Sequence, residues 1–430
     1  MYAKAAGGNW SAAGTWSATG SGGADSVGPP LASTDVVFES GSGNVTIDTA
    51  AVARSVDASA YGAGKVLTHA ASVTLTIGDG TSGAGNKALD FGAFTYTLGG
   101  AHTSAITFAG TSATRQTINF NGKTTGQVLF TGGGKYQYTG GHVTNTGNAQ
   151  SVNLNQADVD INGQTCSWNT FDSSNSNTRT LTLGAAAITI TGASGVGWDF
   201  TTATNLTFSG ASSTITFTGA SPQLKGGNKT FGNVIFTGSA SPNISQTTCT
   251  NLTRTGTAAK TCTFNVIDSF ITVTGVFTIT SDSDINRVLV QSNVVGTSRT
   301  ITAASVVITN TVDFQDITGA GAATWTVAGT GATALGDCGG NSGITFSPSV
   351  AQTWNGSSGG NWSTNAWTTR VPLPQDDVYL GNAYAASQTV TADMPRLGRS
   401  IDWTGATGSP TWSFASVANA IYGSITLISD

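Results

Sequence analysis

Catalysis by this chain would have to run largely on aspartate. Among 430 residues there are 22 Asp+Glu against 17 Lys+Arg, and Glu39 is the solitary glutamate. Glycoside hydrolysis needs two carboxyl groups roughly 5 to 9 Å apart across the scissile bond. The aspartates close enough in sequence are Asp158/Asp160, Asp282/Asp284 and Asp313/Asp316. Alternate residues of a strand share a face at about 7 Å, so the pair in Asp158-Val-Asp160-Ile could face one cleft. The Asn, Gln and Ser around it describe a solvated face, without the aromatic and Arg neighbours of a sugar groove, and no catalysis is expected. Asp313 and Asp316, in Asp-Phe-Gln-Asp-Ile, read as fixing a turn.

Metal chemistry is equally thin. Asp282-Ser-Asp284-Ile-Asn286 alternates oxygen ligands as a calcium loop does at its start, but the Gly and distal Glu of an EF-hand are missing. An Asp/Ser/Asn turn is the better reading, with no metal or cofactor expected. Asp376-Asp377 reads the same way, with Asp377 bonding turn amides. Cys166, Cys249, Cys262 and Cys338 form no C-x-x-C pair, and His69, His102 and His142 are dispersed. The cysteines read as small buried residues, with a disulfide between Cys249 and Cys262 left open. No Ser-His-Asp grouping, P-loop or dinucleotide-type glycine motif is present. The Asn-x-Ser/Thr sites (Asn9, Asn44, Asn205, Asn228, Asn243, Asn251, Asn361) are what chance gives in so Ser/Thr-rich a chain, and imply no glycosylation.

The scaffold that must position any such residues is legible from composition. Thr, Ser, Gly, Ala, Val and Asn displace the helix formers, so the fold class expected is all-β. With 38% hydrophobic residues, net charge −5, 10 Trp and 18 Phe, the chain is not disordered. Its 57 glycines follow no three-residue period and Pro is only 9, which excludes collagen. Acidic balance and scattered basic residues exclude a nucleic-acid partner. No apolar run approaches the roughly 18 residues that span a bilayer, so no membrane insertion is expected. Met1-Tyr-Ala-Lys begins no apolar h-region, and no signal peptide is visible. That fits assembly in a cytoplasm and release by lysis, although a non-Sec route would look the same.

Short runs of period-two alternation, such as Val73-Thr-Leu-Thr-Ile77, Ala105-Ile-Thr-Phe108 and Phe277-Thr-Ile279, recur between Gly/Ser/Asn/Ala turns. So many uniform strands favour a parallel β-helix (β-solenoid), which grows by adding coils, over the alternative of tandem β-sandwich domains.

A long-range repeat is the most specific internal signal. Gly7-Gly-Asn-Trp-Ser11 followed by Trp16 matches Gly359-Gly-Asn-Trp-Ser363 followed by Trp367. Val27-Gly-Pro-Pro30 and Asp35-Val-Val-Phe38 parallel Val371-Pro-Leu-Pro374 and Asp377-Val-Tyr-Leu380. Residues 45–57 and 390–402 then align without a gap at an offset of 345, with six identities in thirteen positions. The expected organisation is an opening segment at 1–44, a β-helix module at 45–350, and a second opening segment with a short β region at 351–430. A solenoid's first coil needs its apolar interior covered, so Trp10, Trp16, Trp362 and Trp367 read as an N-terminal cap. The alternative is sugar stacking on exposed indole faces.

This opening pattern resembles the start of repeated β-helix modules in bacterial surface adhesins and in hypothetical and virion proteins of tailed bacteriophages. Arg287-Val-Leu-Val-Gln-Ser, Val312 to Trp325 and Gly336 to Phe346 are similar to the same group. The resemblance carries no catalytic residues. It implies a non-enzymatic structural protein on the virion exterior, as fibre, appendage or capsid decoration. The partners implied are other virion proteins and further copies of the chain, a trimer among the options. A glycan-binding adhesin acting on host-surface glycans, or at a bacterial cell surface, is the alternative, and a tailspike-type depolymerase the third.

Overall fold

The computed structural model describes the chain except residues 27, 101–102, 146–150, 239–240, 269, 310–311, 327–334, 356–357, 365, 415–416 and 429–430. Val27 and His102 of the motifs above therefore lie outside the described residues. The fold is all-β: among the described residues there are two 3-10 turns, Ala13–Thr15 and Ala84–Asn86, and no α-helix. No helix there is long and apolar enough to cross a membrane. The chain divides into two compact units, Met1–Val234 and Ile235–Asp430.

In the first unit the chain visits three parallel ladders in turn. The first ladder runs through Asp35–Val37, Ser55–Ala58, Lys87–Phe91, Arg115–Asn119, Lys135–Tyr138, Asp158–Asp160 and Arg179–Thr182, each paired with the next. The second joins Gly8–Asn9, Val45–Ile47, Val66–His69 and Thr95–Leu98. It is followed by Thr124–Thr125, His142–Thr144, Thr165–Trp168 and Ala187–Ile190. The third joins Ala51–Ala53, Thr74–Ile77, Ala105–Phe108, Gln127–Phe130, Ser151–Leu154, Thr170–Asp172 and Ser194–Asp199. Parallel partners must be joined by a crossover, and here each crossover is built from strands of the other two ladders.

Alternation decides which side chains face inward. Val36, Val56, Leu89, Ile118 and Tyr138 form one buried row of the first ladder. In the third ladder Phe108 stacks on Phe130 at 5.1 Å and Phe171 on Trp198 at 4.3 Å, so in-register pairing also aligns the rings. The intervening Thr and Asn point outward, where branched side chains suit a half-exposed pleat. Corners are made by residues that tolerate left-handed backbone, such as Asn121 (φ 50°) and Asn162 (φ 52°). Close approach fixes Gly132: a Cβ there would lie 2.3 Å from the carbonyl oxygens of Ala109 and Gly110.

The second unit pairs Asn243–Thr255 with Phe270–Thr280, then Arg299–Thr309, then Ile317–Ala320. Beside them run Thr263–Val266, Val288–Ser292, Val312–Gln315 and Gly336–Asp337. Residues 351–430 of this unit form three short parallel sheets around their own core, which includes Trp354, Trp362, Trp367, Leu380, Leu397 and Trp403.

Candidate functional site

The two opening segments share a set of hydrogen bonds at their aligned residues. In the first, the Trp10 amide donates to the Thr46 carbonyl at 2.7 Å, and the Trp16 indole N–H donates to the Trp10 carbonyl at 2.8 Å. In the second, Trp362 donates to Thr391 at 2.8 Å and Trp367 to Trp362 at 2.9 Å. The ring centroids lie 4.8 Å apart in the first pair and 4.9 Å in the second. Ser11 gives its amide (3.0 Å) and hydroxyl (2.6 Å) to Asp48, as Ser363 does to Asp393 at 2.9 and 2.5 Å. Arg54 grips Asp35 through two nitrogens, and Arg399 grips Asp377 in the same way. The aligned residues are therefore a clasp that closes each segment on itself.

Burial corrects the stacking alternative for these tryptophans. Trp10, Trp16, Trp362 and Trp367 are all buried, Trp367 being the most accessible at 8%. Each ring lies against other rings, Trp16 against Phe38 at 6.0 Å and Trp367 against Trp354 at 5.2 Å, so no indole face is left for a sugar.

The second opening segment is further tied to the strands before it by charge. Asp313 is fully buried and sits between two guanidiniums: Arg287 Nε reaches its carboxylate at 2.9 and 3.0 Å, and Arg396 Nε bonds Oδ2. Burial alone would raise this carboxyl, but the two arginines outweigh it and hold Asp313 below the usual carboxylate range. Close by, the Lys260 ammonium bonds Asp393 Oδ2 at 2.6 Å and Ser363 Oγ at 3.1 Å. Gln375 donates to the carbonyls of Leu335 (2.8 Å) and Ser347 (3.2 Å) and accepts the Asp337 amide at 2.9 Å. At the offset of 345, Ala51 stands where Arg396 does, so the clasp is shared and the arginine is not.

Asp313 thus does not fix a turn as its segment suggests. Asp316 does: it adopts left-handed backbone (φ 54°) and accepts the Gly296 amide at 2.9 Å. Asp376 takes turn amides, from Val350 at 2.8 Å and Leu373 at 2.9 Å, and Asp377, besides holding Arg399, accepts the Ser400 amide and hydroxyl. Asp158 and Asp160 do share the outward face of their strand, around buried Val159. Arg115 pairs with Asp158 at 2.8 Å, while Asp160 takes Gln137 (2.9 Å) and the Asn162 amide (2.8 Å), so both carboxylates are engaged. The Asn286 side-chain amide donates to Asp282 at 2.9 Å and its backbone amide to Ser283 at 3.2 Å, which makes the Asp282-Asp284-Asn286 stretch a hydrogen-bonded turn. Among the described residues no group of three or more His, Cys, Asp and Glu side chains could hold a metal ion.

Cys249 and Cys262 are both buried and are not joined in a disulfide. Burial pushes the thiols of Cys166, Cys249 and Cys338 up to about 12, far from a reactive thiolate. The buried histidines are structural as well. Trp168 donates to His142 Nδ1 at 3.1 Å, leaving Nε2 to donate to Thr125 at 2.9 Å. Burial lowers His142 to about 3, and lowers His69 to about 4 against a smaller opposing effect of the Val73 carbonyl. Both stay neutral in the folded unit while the unfolded chain takes up protons below about pH 6.5. Stability of Met1–Val234 should therefore fall as pH drops through 6.5 towards 5, by up to about 1.4 kcal/mol per pH unit for each histidine. Urea melts of wild type and His142→Phe at pH 7.5 and 5.5 check this: the variant should lose less on acidification, and equal losses would sink the assignment.

Searches against family models, curated proteins and solved structures find no match for this chain.

Proposed function

We propose that the protein is a non-enzymatic structural component, each unit a β-helix, carried on the exterior of a tailed-phage particle as fibre, appendage or capsid decoration. The observation that carries this reading is the order of the ladders in the first unit: the chain returns to the same ladder only after visiting the other two, and each return to the first ladder adds a parallel strand, with a register shift only between Lys87 and Leu89. Tandem β-sandwiches would pair mainly antiparallel neighbours. A structural role is supported by the carboxylates, which serve ion pairs and turns, and by an interior filled with apolar and aromatic rows. On this reading the clasp at each module start is the cap that covers a first coil, and other virion proteins and further copies are its partners. Placement on a phage rests on the resemblance of the opening segments.

The test is a cryo-EM map of purified particles from a lysate, with the chain identified by mass spectrometry and antibody labelling. Rungs stacked about 4.8 Å apart in labelled exterior density are expected. Particles that carry none of the chain would refute the placement, and sandwich density would refute the β-helix.

A further inference from the structure

Inside the first unit, one phenol faces a base. The Tyr96 hydroxyl lies 2.6 Å from His69 Nδ1, and His69 Nε2 lies 3.1 Å from the Val73 carbonyl. A carbonyl oxygen only accepts, so Nε2 carries the ring proton and Nδ1 is left bare to accept from the phenol. Burial lowers His69 to about 4, so the imidazole is neutral and its lone pair is free for that bond. Three other tyrosines of the unit are placed differently. Tyr61 donates to the carbonyls of Gly43 (2.8 Å) and Val66 (3.1 Å), Tyr136 donates to that of Gly110 (3.4 Å), and the buried Tyr138 hydroxyl has no partner. A carbonyl holds a phenol but does not take its proton.

Tyr96 is also one end of a run of neighbouring rings. Trp16 meets Phe38 at 6.0 Å, Phe38 meets Tyr61 at 5.0 Å, and Tyr61 meets Phe94 at 5.1 Å. Phe94 then meets Phe91 at 5.2 Å, and Phe91 meets Tyr96 at 5.3 Å. Trp16 is fully buried, whereas Tyr96 is half-buried. An electron vacancy on the buried indole therefore has a path of short steps to a phenol that meets solvent, and that phenol can shed its proton as it loses the electron.

We propose that Tyr96 is a redox-active tyrosine with His69 as its proton acceptor, and that it repairs the clasp tryptophan Trp16 after one-electron oxidation. Ultraviolet light ejects an electron from the indole, and dissolved oxygen takes it up as superoxide. An electron then passes from Tyr96 along the rings and refills the indole radical cation. The Tyr96 O–H bond breaks as its proton moves to His69 Nδ1, within hydrogen-bond reach, leaving a neutral phenoxyl radical and an imidazolium. The positive charge has moved from Trp16 to His69. A thiol or ascorbate in solution returns the electron, and His69 returns the proton. What is preserved is the clasp, because an indole radical left to react with oxygen would lose the ring that meets Trp10 and Phe38. Nothing in this chemistry depends on placement on a particle.

The test exposes the full-length protein to ultraviolet flashes, freezes it for electron paramagnetic resonance, and follows kynurenine at Trp16 by mass spectrometry of the digested chain. Wild type should give a neutral tyrosyl signal and little kynurenine at Trp16. Tyr96→Phe keeps the ring against Phe91 and removes only the hydroxyl, so the signal should fall several-fold and kynurenine at Trp16 should rise several-fold. His69→Ala should do the same, and free imidazole in the buffer should restore the signal, which a purely structural histidine would not produce. Tyr96→Phe that leaves the signal or the Trp16 oxidation unchanged overturns the proposal. So does a signal that His69→Ala leaves intact, or that imidazole fails to restore in the folded variant, since His69 would then take no proton.

Discussion

Replacing Asp313 by Ala is expected to destabilise the unit Ile235–Asp430 by about 3 to 5 kcal/mol, the cost of leaving buried charge without its partner. Two guanidiniums converge on this carboxylate, and side-chain exposure is 5% for Arg287, 6% for Arg396 and nil for Asp313. Without the carboxylate, two buried cations face each other. Arg396→Met should cost much less, because Asp313 keeps Arg287. The combined change Arg287→Met, Asp313→Leu and Arg396→Met should recover most of the loss, since a packed apolar triad carries no desolvation penalty. Urea unfolding read by hydrogen exchange over residues 351–430 checks the order, and a loss below about 1 kcal/mol for Asp313→Ala would sink it.

The same group sets a pH dependence of known sign. A carboxyl held below its unfolded value near 3.8 contributes stability that is complete above that pH and is lost as pH falls through the folded value. Acid unfolding of the second unit below about pH 4 should therefore carry a contribution from Asp313 that the apolar triad lacks. Histidine acts on the other unit and at higher pH, so the two units should fail in sequence on acidification.

What the sequence made legible was local. Period-two runs identify inward residues such as Ile106 and Phe108 around Thr107, because side-chain direction alternates regardless of partner. They do not say which strand lies beside which, since turns of unequal length hide the register, and the order of three ladders emerges only from the pairings. Charge partners were hidden for the same reason: Arg287 and Arg396 lie 26 and 83 residues from Asp313. The scarcity of glutamate now has a cause beyond avoidance of helix. Asp57, Asp160, Asp172, Asp199 and Asp337 each accept the amide two residues on, closing a corner. Only the short Asp stem reaches that N–H in the compact turn. The tryptophan motif was visible, but the bond that closes it was not, because the second indole of each pair reaches the backbone of the first only in the folded segment.

Trp16→Ala should destabilise the unit Met1–Val234 by about 3 to 5 kcal/mol, as expected for emptying a buried aromatic site. The ring meets Trp10 edge-on at 4.8 Å and Phe38 at 6.0 Å, and its N–H holds the Trp10 carbonyl. Trp16→Phe keeps a ring but strands that carbonyl, so a loss of about 1 to 3 kcal/mol is expected from the missing bond. Trp367→Ala should produce a loss of similar size in the other unit, because its ring and N–H repeat the arrangement against Trp362. Urea melts of both alanine variants, resolved by unit through hydrogen exchange, supply the measurement. If the pair were a sugar platform, each variant would lose glycan binding and keep its melting behaviour. If it is a clasp, stability falls and no binding changes. Closely matched losses in the two units would further show that the clasp is a self-contained device, independent of the Arg396 and Lys260 contacts found at only one of them.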